Sequence, residues 1–253
     1  MSRLELVALP GLPELGAGDD LAGLIVSAAR RLADPLRSGD VLAVAHKAVS
    51  KVEGRVRRLA DVVPGERALE LAAVHGKDAR HVQVVLDESA VLLRADRGRL
   101  IARTHHGFVC ANAGVDASNA GGPDQLVLLP VDPDASARTL RAALRRRLGF
   151  APAVVITDSF GRPWRVGQSE VAIGCAGLRP LDDWRGRADS RGRHLAATLV
   201  AVADEAAAAA DLVRAKDSHE PAVRLRGLER HVTDGDGPGA AVLRRAPEDD
   251  LFG

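Results

Sequence analysis

The chain has no tyrosine, two tryptophans, four phenylalanines and one methionine, so its core must be built mainly from leucine, valine and alanine. Lysine is scarce as well. Lys47, Lys51, Lys77 and Lys216 stand against thirty-one arginines, which makes each retained lysine more informative. Two cysteines, Cys110 and Cys175, are too few for a disulfide scaffold or a four-sulfur metal site; both lie in apolar small-residue runs and read as buried free thiols of a reducing cytoplasm. A formal net charge of +1 gives no field to recruit nucleic acid or a membrane surface. The N-terminus, M-S-R-L-E-L-V-A-L-P, lacks a basic-then-apolar signal pattern, and no uncharged run approaches membrane length. The expectation is a cytoplasmic protein without nucleic-acid or membrane partners.

The composition that remains, 46% hydrophobic and 27% charged over 253 residues, is that of a globular enzyme-sized protein with room for one large or two modest domains. Short β-branched runs alternating with helical spacing predict a mixed α/β fold of two intimately joined lobes. Leu4 to Leu9 reads as a strand closed by the turn Pro10-Gly11-Leu12-Pro13, whose glycine allows close backbone approach to a ligand. Asp20 caps a helix carrying Leu21, Leu24, Ile25, Ala28 and Leu32. Val41 to Ala45 is a buried strand, and Lys47 and Lys51 follow its end four residues apart, where ammonium groups suit phosphate or carboxylate; pairing of Lys51 with Glu53 on a solvated surface is the alternative.

Residues 65–93 read as two helices broken at Gly76-Lys77-Asp78, with Leu69 and Val91 on the buried face, and Asp96-Arg97-Gly98-Arg99 as a hairpin turn. Asp134 and Ser136 are expected to cap a helix over Ala137 to Leu148. Residues 178–193 read as a long polar loop, 194–214 as a helix whose alanine block permits close packing, and the stretch from Thr233 as flexible. On that helix Asp204 and Glu205 could reach a metal or form a solvated face.

Two stretches carry the candidate chemistry. In I-T-D-S-F-G-R-P-W-R-V-G-Q-S-E-V-A-I-G-C-A-G, from Ile156 to Gly177, Asp158 and Ser159 sit where a buried strand runs out, followed by a short loop with two arginines and several glycines. In C-A-N-A-G-V-D-A-S-N, Asp116 again ends an apolar run and Asn119 adds a neutral donor. Two such carboxylates could share one or two hard cations that bridge phosphate oxygens. A Gly/Pro turn and an Asx-rich turn are the alternatives. No G-x-x-x-x-G-K-[ST] phosphate loop and no N-K-x-D guanine motif is present.

Taken together, L-P-G-L-P, S-G-D-V-L-A-V-A-H-K-A-V-S-K-V-E-G-R, G-F-V-C-A-N-A-G-V-D-A-S-N, L-L-P-V-D-P-D-A-S-A, T-D-S-F-G-R-P-W-R-V-G-Q and V-A-D-E-A-A-A-A-A-D-L-V resemble the coenzyme F420-0:L-glutamate ligase family, in order from Leu9 to Gly227. The resemblance implies a GTP-dependent, GDP-forming ligase that joins L-glutamate to F420-0, and then a γ-linked glutamate to the product, through an acyl phosphate. It implies Mn²⁺ or Mg²⁺, two per site, with K⁺ as a further candidate, and an intertwined homodimer.

By position, Asp116 and Asp158 correspond to ligands of one metal and Ser159 to a ligand of a second, while Pro10, Gly11, Leu12, Pro13, His46, Lys47, Lys51, Asn119 and Lys216 correspond to GTP contacts. Asp116, Asp158 and Lys51 are the expected catalytic groups. The family's glycine-bearing nucleotide loop is replaced here by Arg214-Ala215-Lys216-Asp217, where Ala215 cannot cheaply adopt positive φ. A single ligase domain over residues 1–253, without a nitroreductase-like partner, is the expected organisation. A metal-dependent phosphohydrolase and a non-catalytic nucleotide or deazaflavin sensor are the rival readings.

Overall fold

The computed structural model of the chain describes residues 3–249. In chain order, β1 (Glu5–Ala8) and α1 (Leu21–Ala29) lead to β2 (Val41–Ala45), which passes directly into α2 (His46–Val52). A second group follows: β3 (Val56–Arg58), α3 (Glu66–His75), α4 (Ala79–Asp87), β4 (Ser89–Asp96), β5 (Arg99–Thr104), β6 (Val109–Ala111) and β7 (Gln125–Val127). The chain returns through α5 (Pro133–Leu148) to a long hairpin of β8 (Ala153–Arg162) and β9 (Arg165–Ala176). It closes with β10 (Asp182–Asp183), β11 (Leu199–Val200), α6 (Val202–Asp211) and β12 (Ala222–Arg226). This is the mixed α/β architecture expected from the sequence.

The central sheet has the order β1-β12-β2-β8-β9, and only β2 and β8 run parallel. Both faces are covered, so the strands alternate between two apolar layers. Leu42, Val44, Val154 and Ile156 pack with α1 and α5, whereas Val41, Ala43, Ala153 and Val155 pack with Ala203, Ala206, Ala207 and Ala210 of α6. The alanine block does bring α6 close to the sheet. A third apolar cluster, built from Leu71, Val82, Val85, Leu100, Leu126 and Leu128, lies in the second group of elements. Arg55 ties the two groups, donating from Nε to Leu129 O (2.9 Å) and from Nη2 to Glu88 (2.6 Å). Among the described residues no helix is long and apolar enough to cross a membrane.

Several sequence expectations need correction. The stretch after Asp158 is a paired hairpin rather than a loop: Ser159 faces Glu170, and the ladder continues to Arg162 opposite Arg165. Pro163 and Trp164 form the turn, while Gly161 and Gly167 belong to the strands. The helix expected to run to Leu93 ends at Asp87, and residues 89–93 form a strand that leaves Val91 and Leu93 exposed; Leu69 is exposed too. The expected turn at Arg97-Gly98 is present, with positive φ at both positions.

α5 begins at Pro133 with Asp132 as its cap, since proline at the first helical position needs no hydrogen-bond partner. Asp134 is free for another task and accepts the N–H groups of Cys175 (2.8 Å), Ala240 (2.7 Å) and Ala241 (3.2 Å). Asp134 thus anchors residues 240 and 241 of the segment after Thr233, and Arg141 adds an ion pair to Asp236 at 2.7 Å. The final residues, 250–253, lie outside the described ones. α6 starts at Val202, eight residues later than its apolar spacing suggests.

Asp204 is neither a metal ligand nor a solvated carboxylate. The β8–β9 ladder slips by one residue between the pairs Ile156/Gly174 and Thr157/Ala172, and there the Ala172 N–H is donated to Asp204 Oδ1 at 2.9 Å. Burial raises the Asp204 carboxyl above its ordinary range, against the opposing pull of that N–H. The folded state thus holds the proton more tightly, and this group's share of stability falls as pH rises from the unfolded value of about 3.9 through the raised folded one. Asp204→Asn, which keeps an oxygen for Ala172, is expected to gain in Tm over the parent across that window. Melts of the pair at about pH 4 and about pH 7 measure it, and a constant difference would contradict the assignment.

Candidate functional site

Because β2 and β8 are parallel with Ala45 opposite Thr157, both strands deliver their next residues to the same sheet edge. In open α/β sheets that edge is where ligands gather. From β2 the chain turns into α2 without a side-chain cap, so the sequence carries no start signal and the helix was missed. Its first residue, His46, is buried with Nε2 3.2 Å from Asp158 Oδ1, although not in hydrogen-bonding alignment. Lys47 and Lys51, one turn apart, reach into a cavity of about 670 Å³.

That cavity is closed by segments far apart in sequence. The Asp116 loop lies against α2, with Lys47 Nζ 2.6 Å from Asp116 Oδ2 and 2.7 Å from Ser118 Oγ. The Ser118 N–H is donated to Asp116 Oδ1 at 2.7 Å. Burial alone would push the Asp116 carboxyl up, but Lys47 and Ser118 outweigh it, and its pKa ends below the ordinary range. Lys51 pairs with Glu14 of the N-terminal turn, not with Glu53. Asn119 takes positive φ and donates from Nδ2 to Lys216 O at 3.3 Å, joining this loop to the connector after α6.

Asp158 and Ser159 come from β8. The Ser159 N–H is donated to Asp158 Oδ1 at 2.8 Å, while Ser159 Oγ donates to Glu170 Oε1 at 2.6 Å and accepts from Lys216 Nζ at 2.7 Å. Glu170 is buried and faces Arg214, whose Nη2 is 2.9 Å from Glu170 Oε2 and 3.1 Å from Thr157 Oγ1. Neither Glu170 nor Arg214 was singled out in the sequence. The pairing of Ser159 with Glu170 needs the hairpin register, which a reading of that segment as a loop discards.

Of the residues expected to serve the site, Leu12, Pro13, His46, Lys47, Lys51, Asp116, Asn119, Asp158, Ser159 and Lys216 line the one cavity. Pro10 and Gly11 do not. Their carbonyls accept from Arg31 Nη2 at 2.6 and 3.1 Å, and Gly11, at φ +72°, lets that guanidinium approach the backbone. Ala215 has no positive φ; in that connector the left-handed residue is His219.

No group of three or more acidic, histidine or cysteine side chains converges as a metal cage among the described residues. Among the groups lining the cavity are the hard oxygens of Asp116, Asp158 and the Ser159 hydroxyl. That set fits a Mg²⁺- or Mn²⁺-type ion, which is commonly held by one or two carboxylates together with ligand phosphates and water. Cys110 does not line the cavity, and burial and then the Asp158 charge push its thiol up to about 12.

The fold and cavity define an α/β protein in which carboxylates and ammonium groups converge on a pocket suited to a polyanionic ligand and a hard divalent ion. The sequence model of the F420-0:Gamma-glutamyl ligase family matches residues 11–227, and the chain belongs to that family. It is 43% identical over 251 residues to a coenzyme F420:L-glutamate ligase of Methanothermobacter thermautotrophicus, covering 98% of each chain. It is also 43% identical over 254 residues to the protein of the same name in Methanopyrus kandleri, covering 100% of this chain and 98% of that one. A third such ligase, from Haloarcula marismortui, is 42% identical over 255 residues, covering 98% of this chain and 95% of its own.

Proposed function

We propose that this protein is a GTP-dependent ligase that forms an amide between L-glutamate and F420-0, and a γ-linked one in a second round, releasing GDP and phosphate. The observation that carries this reading is the shared cavity in which Asp116, Asp158 and Ser159 face Lys47, Lys51 and Lys216. Full-length likeness to proteins named coenzyme F420:L-glutamate ligase supplies the substrates.

In this reading the substrate carboxylate attacks the γ-phosphorus of GTP, and the bond from that phosphorus to the β-bridging oxygen breaks. The glutamate amine then attacks the resulting acyl phosphate, losing a proton as phosphate leaves. Lys47 and Lys51 stand one helical turn apart to offset charge on phosphate oxygens. Asp116, Asp158 and the Ser159 hydroxyl would hold the divalent ions, whose contribution when bound is to neutralise phosphate charge. His46, packed against Asp158, keeps that carboxylate turned to the sheet edge. The apolar residues Leu12 and Pro13 shield one side of the cavity from water.

A homodimer, a cytoplasmic location and a K⁺ requirement belong to the same proposal and rest on family likeness. The direct test is GDP release with each substrate omitted in turn. The ligase reading expects release that needs both F420-0 and glutamate, whereas a phosphohydrolase would release GDP without glutamate and a sensor would bind without turnover. Lys51→Ala is expected to raise the KM for GTP about tenfold, the size of one charge-assisted hydrogen bond, with little change in kcat. An unchanged KM would return Lys51 to a structural pairing with Glu14.

A further inference from the structure

We infer that Glu170 is a positioning residue for the phosphate end of the cavity, acting through Ser159 and Lys216 rather than touching the reacting atoms. The inference rests on the ligase reading only for the identity of the ligand. The geometry is independent of it.

Glu170 is a carboxylate 4% exposed, set in β9 directly across the ladder from Ser159. A buried charge of this kind is expensive unless it is paired, and an ionised carboxylate can only accept. It accepts the Ser159 hydroxyl proton at 2.6 Å, which fixes the direction of that hydrogen. Lys216 Nζ fills one Ser159 lone pair at 2.7 Å, so the hydroxyl keeps a single lone pair for a ligand. Without the acceptor, the hydroxyl would be free to rotate and present its proton to a cation.

The other oxygen of Glu170 faces Arg214, and this guanidinium also donates to Thr157 Oγ1 and, from Nη1, to Pro221 O at 3.2 Å. The clamp thus reaches β8, β9 and both ends of the 214–221 connector. Lys216, which lies 3.7 Å from Glu170 Oε1, is carried by that connector. One buried carboxylate therefore sets both a hydroxyl lone pair and an ammonium group.

The test uses full-length protein and Mn²⁺ alone as the probe, with free Mn²⁺ read by electron paramagnetic resonance, and compares wild type, Glu170→Gln, Ser159→Ala and the double variant. Partners that orient a ligand typically contribute tenfold to a hundredfold in metal affinity, so about a tenfold loss is expected for Glu170→Gln. Because Glu170 acts through Ser159, the double variant is expected to bind no worse than Ser159→Ala. Wild-type affinity in Glu170→Gln, or losses that multiply in the double variant, would overturn the inference.

Glu170→Gln also leaves Arg214 unpaired and could melt below assay temperature. In that event Glu170→Gln/Arg214→Met, which leaves neither buried ion alone, carries the same measurement. The same tenfold loss is expected there, and wild-type affinity overturns the inference. Failure of glutamate-dependent GDP release in the wild type would sink the ligase reading while leaving this binding cycle intact.

Discussion

Asp158→Asn is expected to reduce glutamate-dependent GDP formation about a thousandfold, on the order of 4 kcal/mol of transition-state stabilisation, while the protein stays folded. The asparagine keeps an oxygen for the Ser159 N–H and the volume of the side chain, so stability should change by no more than about 1 kcal/mol. What disappears is the negative charge. Asp116→Asn is expected to cost less, about a hundredfold, because its side chain is 40% exposed against 14% for Asp158 and charge removed nearer to water matters less. Circular dichroism alongside a GDP-release assay separates lost chemistry from lost fold. Full activity in either variant would remove that carboxylate from the reaction.

The second large effect is structural. Gly174→Val is expected to destabilise the fold by about 3 kcal/mol and to lower Tm by roughly 10 °C. A Cβ at Gly174 would lie 2.2 Å from the backbone carbonyl oxygen of Pro133, so either the first turn of α5 or β9 must move. Both carry other tasks. Pro133 is followed by Asp134, which clamps Cys175 and the 240–241 turn, and Gly174 borders the ladder slip next to Thr157 and Asp158. Activity in the surviving folded fraction should therefore fall too. Thermal melts read the first effect, and a Tm within about 2 °C of wild type would show that α5 yields more easily than its contacts indicate.

The sequence exposed the elements whose signals are local. Val41 to Ala45 was read with its observed bounds because a run buried on both faces is continuously apolar, and the Asp20 cap and the Arg97-Gly98 turn follow from side-chain and φ preferences. The hairpin after Asp158 was not legible. Gly161, Pro163 and Gly167 carry turn signals over a stretch whose backbone is nevertheless paired across its length. α2 was hidden because Ala45, in its cap position, has no side chain that can cap, and Asp132 was passed over for Asp134 because both are aspartates, which cap helices equally well.

The site divides the same way. Asp116, Asp158 and the lysine pair were visible as polar groups at the ends of apolar runs, and family likeness supplied the loop of Lys216. That these groups share one cavity is a tertiary fact, set by the parallel pairing of β2 with β8 and by the long excursion between them. Glu170 and Arg214 could be found only through the β8–β9 register and the connector they clamp. At Pro10 and Gly11 the carbonyls bind Arg31, a partner the sequence did not indicate, since a glycine turn says that something approaches the backbone without saying what.

All of this converges on one reaction in one pocket, and the mass spectrum of its product tests it most directly. Incubated with F420-0, L-glutamate, GTP and Mn²⁺, the wild-type protein should convert F420-0 to a species heavier by one glutamyl residue, with GDP formed in equal amount and Asp158→Asn giving neither. An unchanged F420-0 mass in the presence of GTP turnover would contradict the ligase and leave a phosphohydrolase.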